Sequence, residues 1–512
     1  MLARVWSAAI TGIDAVKVGV EVDVSGGLPA IVMLGLPDAA VVESKQRVRA
    51  TFKNTGLNFP MRRIVINLTP ADLRKEGPAF DLPISVGLLA ASEQVSADLL
   101  GDYLFLGEVS LDGSLRPVTG VLPIATSALS MGITGLVVPT DNAQEAAVVE
   151  GLDVYAFDNI VQVVSFLNNP SLHEPVRFNF NEEPTIFSNS NVDLVDLKDI
   201  KGQAHARRAL EVAAAGGHNL IFVGPPGSGK TMLARRLPTI MPPLSFTEAL
   251  EVTRIHSVVG LLKNRGKLVQ ERPFRTPHHS ASGPSLVGGG SVPRPGEISL
   301  AHQGVLFLDE LTEFKRDVLE YLRQPLEDGS VTITRTKQSV TFPAQFTLVA
   351  STNPCACGYY GDAIQSCTCS PRQREQYWAK LSGPLMDRID LQVTVGRLKA
   401  EEITQQSTGE ESLSVRERVM EARKRAVVRF QDEPSLRCNA HMQSRHLLKW
   451  CYLDDTSRNL LEAAIRKLGL SARASDRILK VSRTIADLGG YDEIKAHHVA
   501  EAIQYRTIDR MQ

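Results

Sequence analysis

The sequence predicts an α/β protein that ends in a helical region, and three features support this prediction. Residues 1–168 alternate short β-rich runs with Gly/Pro turns and Ala-rich helical patterns. An apolar run at 219–223 leads into a glycine-rich loop and then into a helical pattern. The chain beyond residue 414 has helical periodicity and almost no strand signal. We therefore expect an α/β domain at 1–168, a polar, Pro-punctuated linker at 169–192, a second α/β domain at 193–397 and a helical domain at 398–512.

Several elements of these domains follow from the spacing of apolar residues. In the first domain, Val18–Val24 and Arg63–Leu68 have the composition of strands. Ala39–Asn54 has apolar residues at helical spacing. The helices expected in the last domain are Leu447–Leu453, Arg458–Leu468, Arg473–Leu488 and Ala496–Tyr505.

The bulk composition is that of an ordinary soluble globular protein, with 43% apolar and 22% charged residues in 512. The formal net charge is −1, so a polyanionic partner must be bound by a local basic patch. Asp14 and Lys17 interrupt any apolar run near the N-terminus, which argues against a signal peptide. No stretch reaches the roughly 18 apolar residues that cross a bilayer. We expect a cytoplasmic protein with no membrane partner.

A phosphate-binding loop is the most specific motif in the chain. It follows the apolar run Asn219–Val223, and a helix opens at Met232, which is the context that the motif requires. Its glycines let successive backbone N–H groups converge on phosphate oxygens. We expect ATP here, with Lys230 on the β- and γ-phosphates and Thr231 on Mg²⁺. The loop consists of Gly224, Pro225, Pro226, Gly227, Ser228, Gly229, Lys230 and Thr231.

Two carboxylates follow the apolar strand Val305–Leu308 and complete the predicted ATP site. Asp309 is placed to hold Mg²⁺ through its waters, and Glu310 to orient and deprotonate the attacking water. A third strand, Phe346–Thr352, ends at Asn353. This residue either caps its strand or contributes to the same site.

A Cys-rich insertion at 355–369 contains four of the six cysteines. Cys355 and Cys357 form one C-x-C pair, and Cys367 and Cys369 form another. Four thiolates can close a tetrahedral Zn²⁺ site. Zinc would rigidify a loop that is too short to have a core of its own. The alternative is four reduced thiols or a redox-labile pair.

A β-hairpin is expected at 330–342, where apolar and polar residues alternate on both sides of a polar tip. Arg335 and Lys337 at this tip would meet phosphates if the hairpin contacts a nucleic acid. The alternative is a solvated surface hairpin.

Two further segments each have two interpretations. The basic run Arg416–Arg429 is either a solvated helix face or a DNA-contacting helix. His278 and His279, in a Gly-, Ser- and Pro-rich segment at 276–297, are either metal ligands or, as we prefer, structural or subunit-contact residues.

Five motifs occur together in this chain: the phosphate-binding loop, Val305–Glu310, His278–Gly283, Ser382–Asp390 and Leu479–Leu488. With this set, residues 193–512 resemble the magnesium-chelatase-like branch of AAA+ proteins. The whole chain resembles the ComM/YifB family of competence proteins.

The resemblance implies a P-loop AAA+ core with a helical lid that assembles into a homo-hexameric ring. It implies that Asn353 is the sensor-1 residue, that Arg388 is an arginine finger for ATP on the neighbouring subunit, and that Arg473 is the sensor-2 arginine. Arg477, one helical turn further on, is the fallback for Arg473. An arginine finger supplied in trans is worth roughly 10³–10⁵ in rate in GTPases. The resemblance also implies that the segments at 276–297 and 330–342 face the central pore.

The first domain resembles the Lon-protease domain, a ribosomal-S5-like α+β fold. Lys75–Leu82 and Gly107–Gly113 carry this likeness. Ala79 and Pro123 stand where the protease has its serine and lysine. Alanine has no nucleophile and proline no amine, so a Ser–Lys dyad is not possible there. We expect a non-proteolytic domain repurposed for DNA or for ring assembly.

The resemblance implies an ATP-dependent hexameric DNA motor or helicase that promotes branch migration during natural transformation and homologous recombination. ATP, Mg²⁺ and Zn²⁺ are the expected cofactors, and Arg335 and Lys337 the expected DNA-binding residues. Single-stranded and branched DNA, further copies of the chain and recombination proteins are the expected partners. The alternative is a chelatase-type motor that remodels a protein partner. An ATP-dependent protease is disfavoured by Ala79 and Pro123.

Overall fold

The computed structural model describes residues 1–178, 195–262, 268–290, 293–334, 339–398, 402, 409–433 and 436–506. The chain divides into two compact units, one of Met1–Thr185 with Phe246–Val269 and one of Ile186–Ser245 with Gln270–Gln512. Within the described part of the chain, no helix has both the length and the apolar composition needed to span a membrane.

The first unit is built on a mixed sheet of seven strands. Its two longest strands, Leu2–Thr11 and Asp14–Ser25, pair antiparallel over the whole length of the first. Alternate valines of the second strand, Val18, Val20 and Val22, are fully buried, so one face of the sheet lies on the core. In spatial order the strands are Ala30–Leu34, Arg63–Thr69, Asp14–Ser25, Leu2–Thr11, Tyr103–Phe105, Gly135–Pro139 and Asp153–Phe157. The short strands Glu108–Val109 and Leu115–Arg116 form a separate pair.

Helices supply the rest of the first core. Asp38 begins the first helix, because its side chain accepts a hydrogen bond from the backbone N–H of Val41 at 2.8 Å. The two predicted strands and the predicted helix of this domain are confirmed, each extended by one to four residues at its ends. The α-helices are Ala39–Thr55, Asp81–Ala91, Val121–Ala128, Ala143–Ala147, Ile160–Asn168 and Phe246–Val258.

The helix Phe246–Val258 packs in the first unit, although its position in the chain predicted that it belongs to the second domain. Arg254 donates hydrogen bonds to the Asp14 carboxylate at 2.7 Å and to the carbonyl oxygen of Ile13 at 3.1 Å. The hydroxyl of Ser257 donates to the carboxylate of Glu145. These partners lie more than a hundred residues away, so no local pattern predicts them.

The second unit is built on a parallel sheet of five strands. The phosphate-loop strand Leu220–Val223 lies between Thr347–Thr352 and Leu391–Thr394, and Val305–Leu308 lies on the far side of Thr347–Thr352. Phe274–Arg275 is the outermost strand beside Val305–Leu308. All the central strands are buried on both faces, as their continuous apolar runs predict. The three strands that carry the predicted ATP-site residues are therefore adjacent.

Short helices and two small hairpins surround this sheet, and the lid is helical as predicted. The hairpins are Gly288–Gly289 with Arg294–Pro295 and Ser330–Thr334 with Ser339–Pro343, and the second confirms the hairpin predicted at 330–342. The helices before the lid are Ala204–Gly216, Lys230–Ile240, Gly283–Val287, Glu297–Leu300, Arg316–Glu320, Arg323–Asp328, Pro371–Trp378 and Gly383–Met386. The lid helices are Ser412–Arg429, Ser444–Trp450, Asp455–Leu468, Ala472–Leu488 and Ala496–Gln504.

Most basic side chains of the helix Ser412–Arg429 bind other groups of the second unit. Arg416 donates to the carbonyl oxygen of Thr239 at 2.8 Å, and Arg423 donates to that of Ala214 at 3.0 Å. Three more arginines form ion pairs, Arg418 with Glu211, Arg425 with Asp492 and Arg429 with Asp487. This run therefore joins the lid to the sheet domain, which neither of its two interpretations from sequence predicted.

Candidate nucleotide site and cysteine cluster

The phosphate-binding loop connects the strand Leu220–Val223 to the helix that begins at Lys230. Gly227 and Gly229 have backbone φ angles of 77° and 89°. Residues with a side chain rarely adopt these angles, so the loop conformation favours glycine at both positions. The Lys230 ammonium donates to the carbonyl oxygens of Gly224 at 2.7 Å and Pro225 at 3.0 Å. Burial lowers the pKa of Lys230, and the nearby carboxylates of the site oppose this shift.

Two hydroxyl groups orient the carboxylate of Asp309. Thr231 Oγ1 donates to Asp309 Oδ2 at 2.9 Å, and Ser351 donates to the other oxygen. Leu308 pairs with Ala350 across the parallel strands, so Asp309 and Ser351 come next to each other. Ser351 was not predicted as a site residue. The sequence signal for it is its spacing from Asn353, because residues two apart along a strand lie on the same side.

Glu310 has a backbone conformation that is rare for its residue type. Its φ is 54°, in the left-handed region, which costs on the order of 1–3 kcal/mol for a residue other than glycine. Its backbone N–H donates to Ser351 Oγ at 3.3 Å and to Asp309 Oδ1 at 3.1 Å, and these bonds stabilise the turn. The side chain is more than half exposed, and its Oε2 lies 3.9 Å from Nδ1 of His279. The carboxylate therefore projects into open space beside the phosphate loop.

A cavity of about 420 Å³ is lined by most of the residues predicted for the ATP site, and its size is in the range of small-molecule sites. Asn353 lies on its wall, with Oδ1 3.3 Å from the Lys230 ammonium. Gly224 and Pro225 contribute through their carbonyl contacts with Lys230. The lining residues are Pro226, Gly227, Ser228, Gly229, Lys230, Thr231, Met232, Asp309, Glu310, Ser351, Thr352 and Asn353.

The two arginines taken from the family resemblance do not line this cavity. Arg388 forms an ion pair with Glu327 and donates to the carbonyl oxygen of Pro384 at 2.7 Å. Arg473 is exposed. Its charge also lowers the pKa of Glu327, although Arg388 has the larger effect on that pKa. Both arginines therefore lie near Glu327 rather than at the phosphate loop of their own chain.

Arg477, the fallback for Arg473, has a structural partner. It forms an ion pair with Asp390, whose side chain is buried. His218 Nδ1 lies 3.1 Å from the same carboxylate, and His218 Nε2 lies 2.8 Å from Thr484 Oγ1. Burial raises the pKa of Asp390, but Arg477 and His218 outweigh burial and lower it overall.

The four cysteines of the insertion come together as predicted, with their sulfur atoms within 4.8 Å of one another. The Sγ of Cys355 lies 3.3 Å from that of Cys357 and 3.6 Å from that of Cys367. The backbone N–H of Cys357 donates to the Sγ of Cys369 at 3.3 Å. A hydrogen bond from the backbone of Tyr359 lowers the pKa of Cys357, which favours a thiolate in the cluster.

Arg335 and Lys337 lie outside the described residues, which flank them at Thr334 and Ser339. Ala79 lies in the single turn Pro78–Phe80, and Pro123 lies in the helix Val121–Ala128.

Comparison with protein-family models gives three matches. Residues 196–403 match the model described as magnesium chelatase, subunit ChlI. Residues 20–142 match a model described as subunit ChlI of Mg-chelatase, and residues 409–506 match one described as the ChlI C-terminal. The chain therefore has a magnesium-chelatase-type AAA+ ATPase core followed by its helical domain, as predicted.

Relatives named ComM and YifB match along the whole chain. A competence protein ComM of Haemophilus influenzae is 46% identical over 517 residues, which are 100% of this chain and 98% of that protein. A YifB protein of Salmonella typhimurium is 44% identical over 512 residues, with the same coverage. Lon protease 2 of Bacillus subtilis is 24% identical over 143 residues, which are 27% of this chain and 25% of that protein. The predicted likeness of the first domain to Lon is thus confirmed, and the chain belongs to the ComM/YifB family of AAA+ proteins.

Proposed function

We propose that this protein is an ATP-dependent hexameric DNA motor that promotes branch migration during natural transformation and homologous recombination. The main support is the 46% identity along the full chain to a relative named as a competence protein. The relative's name refers to competence, and the action on DNA and the branch migration are what the proposal adds. Single-stranded and branched DNA are the proposed substrates, and recombination proteins are the proposed partners.

The chain's own residues supply the parts that ATP hydrolysis needs. Lys230 would bind the β- and γ-phosphates, and Glu310 would orient and deprotonate the attacking water. Asp309 and Thr231 offer a carboxylate and a hydroxyl 2.9 Å apart, oxygen donors of the kind that Mg²⁺ prefers. When bound there, Mg²⁺ would neutralise charge on the phosphates. Asn353 would orient the water from the adjacent strand.

Ring assembly supplies the residues that the cavity lacks. We propose that Arg388 and Arg473 act on ATP bound by the neighbouring subunit. In support, neither arginine lines the ATP cavity of its own subunit, and Arg388 forms an ion pair with Glu327. A subunit whose site is completed by the next one requires a head-to-tail contact, which closes into a ring when the rotation allows.

The cysteine cluster is a proposed structural Zn²⁺ site. Four sulfur atoms within 4.8 Å of one another match the tetrahedral thiolate set that zinc prefers. The insertion also packs on the phosphate loop, because a Cβ at Gly358 would lie 2.9 Å from Cδ of Pro226. Bound zinc would therefore hold this side of the nucleotide site in place.

We expect zinc to co-purify at about one equivalent per chain. Cys355→Ser combined with Cys357→Ser should remove it, lower the melting temperature and weaken ATP binding several-fold, because the loop beside Pro226 loses its support. Elemental analysis and equilibrium ATP binding check these outcomes. Cys451→Ala is the control, since that buried thiol lies outside the cluster and should leave the zinc content unchanged. Metal-free protein from a chelator-free purification would contradict the prediction.

A chelatase-type motor that remodels a protein partner is the second candidate. The observation that favours it is the match of residues 196–403 to a magnesium-chelatase subunit model. The experiment that separates the two functions is the ATPase rate with and without single-stranded, duplex and forked DNA. The proposed DNA motor should be stimulated most by forked DNA, whereas a chelatase-type motor should respond to none of the three.

The proposed DNA contact is the tip of the hairpin at 330–342, at Arg335 and Lys337. Arg335→Ala combined with Lys337→Ala should leave the DNA-free ATPase intact, abolish DNA stimulation and branch migration, and reduce the salt dependence of DNA binding. Arg458→Ala with Arg466→Ala removes the same charge from exposed positions of the lid helix Asp455–Leu468 and should change none of these. Branch migration at the wild-type rate by the hairpin variant would locate the DNA contact elsewhere.

A further inference from the structure

Glu327 lies at the junction between a short helix and the hairpin at 330–342. The helix Arg323–Asp328 ends at Gly329, which has φ of 65°, and the first hairpin strand, Ser330–Thr334, begins at the next residue. The backbone N–H of Ala344, just after the second hairpin strand, donates to the carbonyl oxygen of Gly329 at 2.8 Å. The helix end and the base of the hairpin are therefore joined by the chain and by this hydrogen bond.

The partner of Glu327 is the predicted arginine finger. The Arg388 side chain is only 11% exposed, whereas that of Glu327 is 63% exposed. The guanidinium of Arg388 binds the Glu327 carboxylate and the carbonyl oxygen of Pro384. A carboxylate presents two oxygens to an arginine much as a phosphate does. Glu327 therefore occupies donors that Arg388 would offer to a neighbour's γ-phosphate.

Other cations surround the same carboxylate. Arg388 makes the largest contribution to the lowered pKa of Glu327, and the charges of Arg473 and Arg323 act in the same direction. Asp328, the next residue, is also exposed, and among the described residues it has no ion pair. Of these two adjacent carboxylates, Glu327 is therefore the one that contacts Arg388.

We propose that Glu327 is a positioning residue that couples the hairpin at 330–342 to Arg388. While the hairpin carries no DNA, Glu327 keeps the guanidinium of Arg388 away from the ATP of the neighbouring subunit. DNA on the hairpin moves the attached helix end, and Arg388 becomes available for the neighbour's phosphate. This inference rests on the proposed function, because it requires a ring and a DNA-contacting hairpin.

The test measures ATP turnover of the full chain, with and without forked DNA, for wild type and Glu327→Gln. The amide keeps the size of the side chain and removes the charge that retains Arg388. We expect the DNA-free rate to rise several-fold and the ratio of DNA-stimulated to DNA-free rates to fall towards one. The maximal DNA-stimulated rate should stay at the wild-type level. Asp328→Asn, the matched control, should leave both rates unchanged.

A second variant tests whether the effect passes through Arg388. Glu327→Gln in an Arg388→Ala background should have the same low rate as Arg388→Ala alone, because no finger is left to release. A rise in that background would overturn the proposal, as would wild-type rates and a wild-type stimulation ratio for Glu327→Gln alone. If Glu327→Gln does not fold, Glu327→Ala, which also removes the carboxylate, should raise the DNA-free rate several-fold, and a wild-type rate would overturn the proposal.

The failure of the proposed function has a different signature. If forked DNA does not stimulate the wild-type protein, the DNA motor is excluded and the coupling to the hairpin with it. The retention of Arg388 by Glu327 is then decided by the DNA-free rates alone. A several-fold rise that requires Arg388 supports it, and no rise overturns it.

Discussion

Glu310→Gln is expected to lower ATP turnover by about 10²–10⁴-fold while ATP still binds. The amide cannot accept a proton from the attacking water, but it leaves Lys230, Thr231 and Asp309 in place. ATP binding measured by equilibrium titration should therefore remain near wild type, and assembled hexamers should accumulate with bound ATP. Single-turnover hydrolysis measures the loss.

Two further variants separate the loss of the base from the loss of ATP binding and from the loss of any nearby carboxylate. Lys230→Ala should lose ATP affinity and turnover together, because it removes the ammonium that we propose binds the phosphates. Glu313→Gln is the matched control, since this exposed glutamate lies three residues further on and its nearest cation, Lys380, is 3.7 Å away. Near-normal turnover of Glu310→Gln would show that another group is the base.

Arg388→Ala is expected to lower turnover by about 10³-fold or more, with an intact ATP cavity in every subunit. The expected reason is that the arginine acts on the next subunit's ATP, since its own guanidinium binds Glu327 and Pro384 outside the cavity. ATP affinity and hexamer formation should change little. Arg372→Ala removes an exposed arginine from the helix Pro371–Trp378 and is the control for loss of charge.

Mixing the two inactive variants tests the trans arrangement directly. A Glu310→Gln subunit has a dead site and an intact Arg388, whereas an Arg388→Ala subunit has the reverse. In rings mixed at equal amounts, about a quarter of the sites should combine an intact base with an intact neighbouring arginine. Turnover should recover to that fraction of wild type. Mixed rings as inactive as their parents would show that Arg388 acts within its own subunit or only in folding.

The ATP site is the part of the molecule that could be predicted most fully from sequence. Its residues sit on three strands that end in polar side chains, and the carboxyl ends of parallel strands meet at one edge of a sheet. Lys230, Asp309 and Asn353 therefore converge once the strands are recognised. The cysteine pairs were predictable for a similar reason, because short spacing limits how far apart the sulfur atoms can lie.

Other features were decided only by the tertiary structure. The helix Phe246–Val258 lies within the range of the core in sequence, yet its bonds from Arg254 and Ser257 reach residues of the first unit. The arginines of Ser412–Arg429 have the composition of a nucleic-acid contact, yet Arg416 and Arg423 bind backbone carbonyl groups of the sheet domain. The sequence pattern does not distinguish an exposed arginine from a buried one, because the packing of distant segments decides which partner the arginine contacts.

The sequence by itself therefore predicted the chemistry of this protein: a P-loop ATPase core with its lysine, carboxylates and cysteine set, and a Lon-like first domain with Ala79 and Pro123 at the two dyad positions. Each of these predictions depends on residue types at short spacing, and both can be read directly from the sequence. The tertiary structure decided which carboxylate Arg388 binds and that Ser351 orients Asp309. It decided these because Glu327 and Arg388 are 61 residues apart and Ser351 and Asp309 are 42 apart, and contacts at such separations form only when the strands and helices pack.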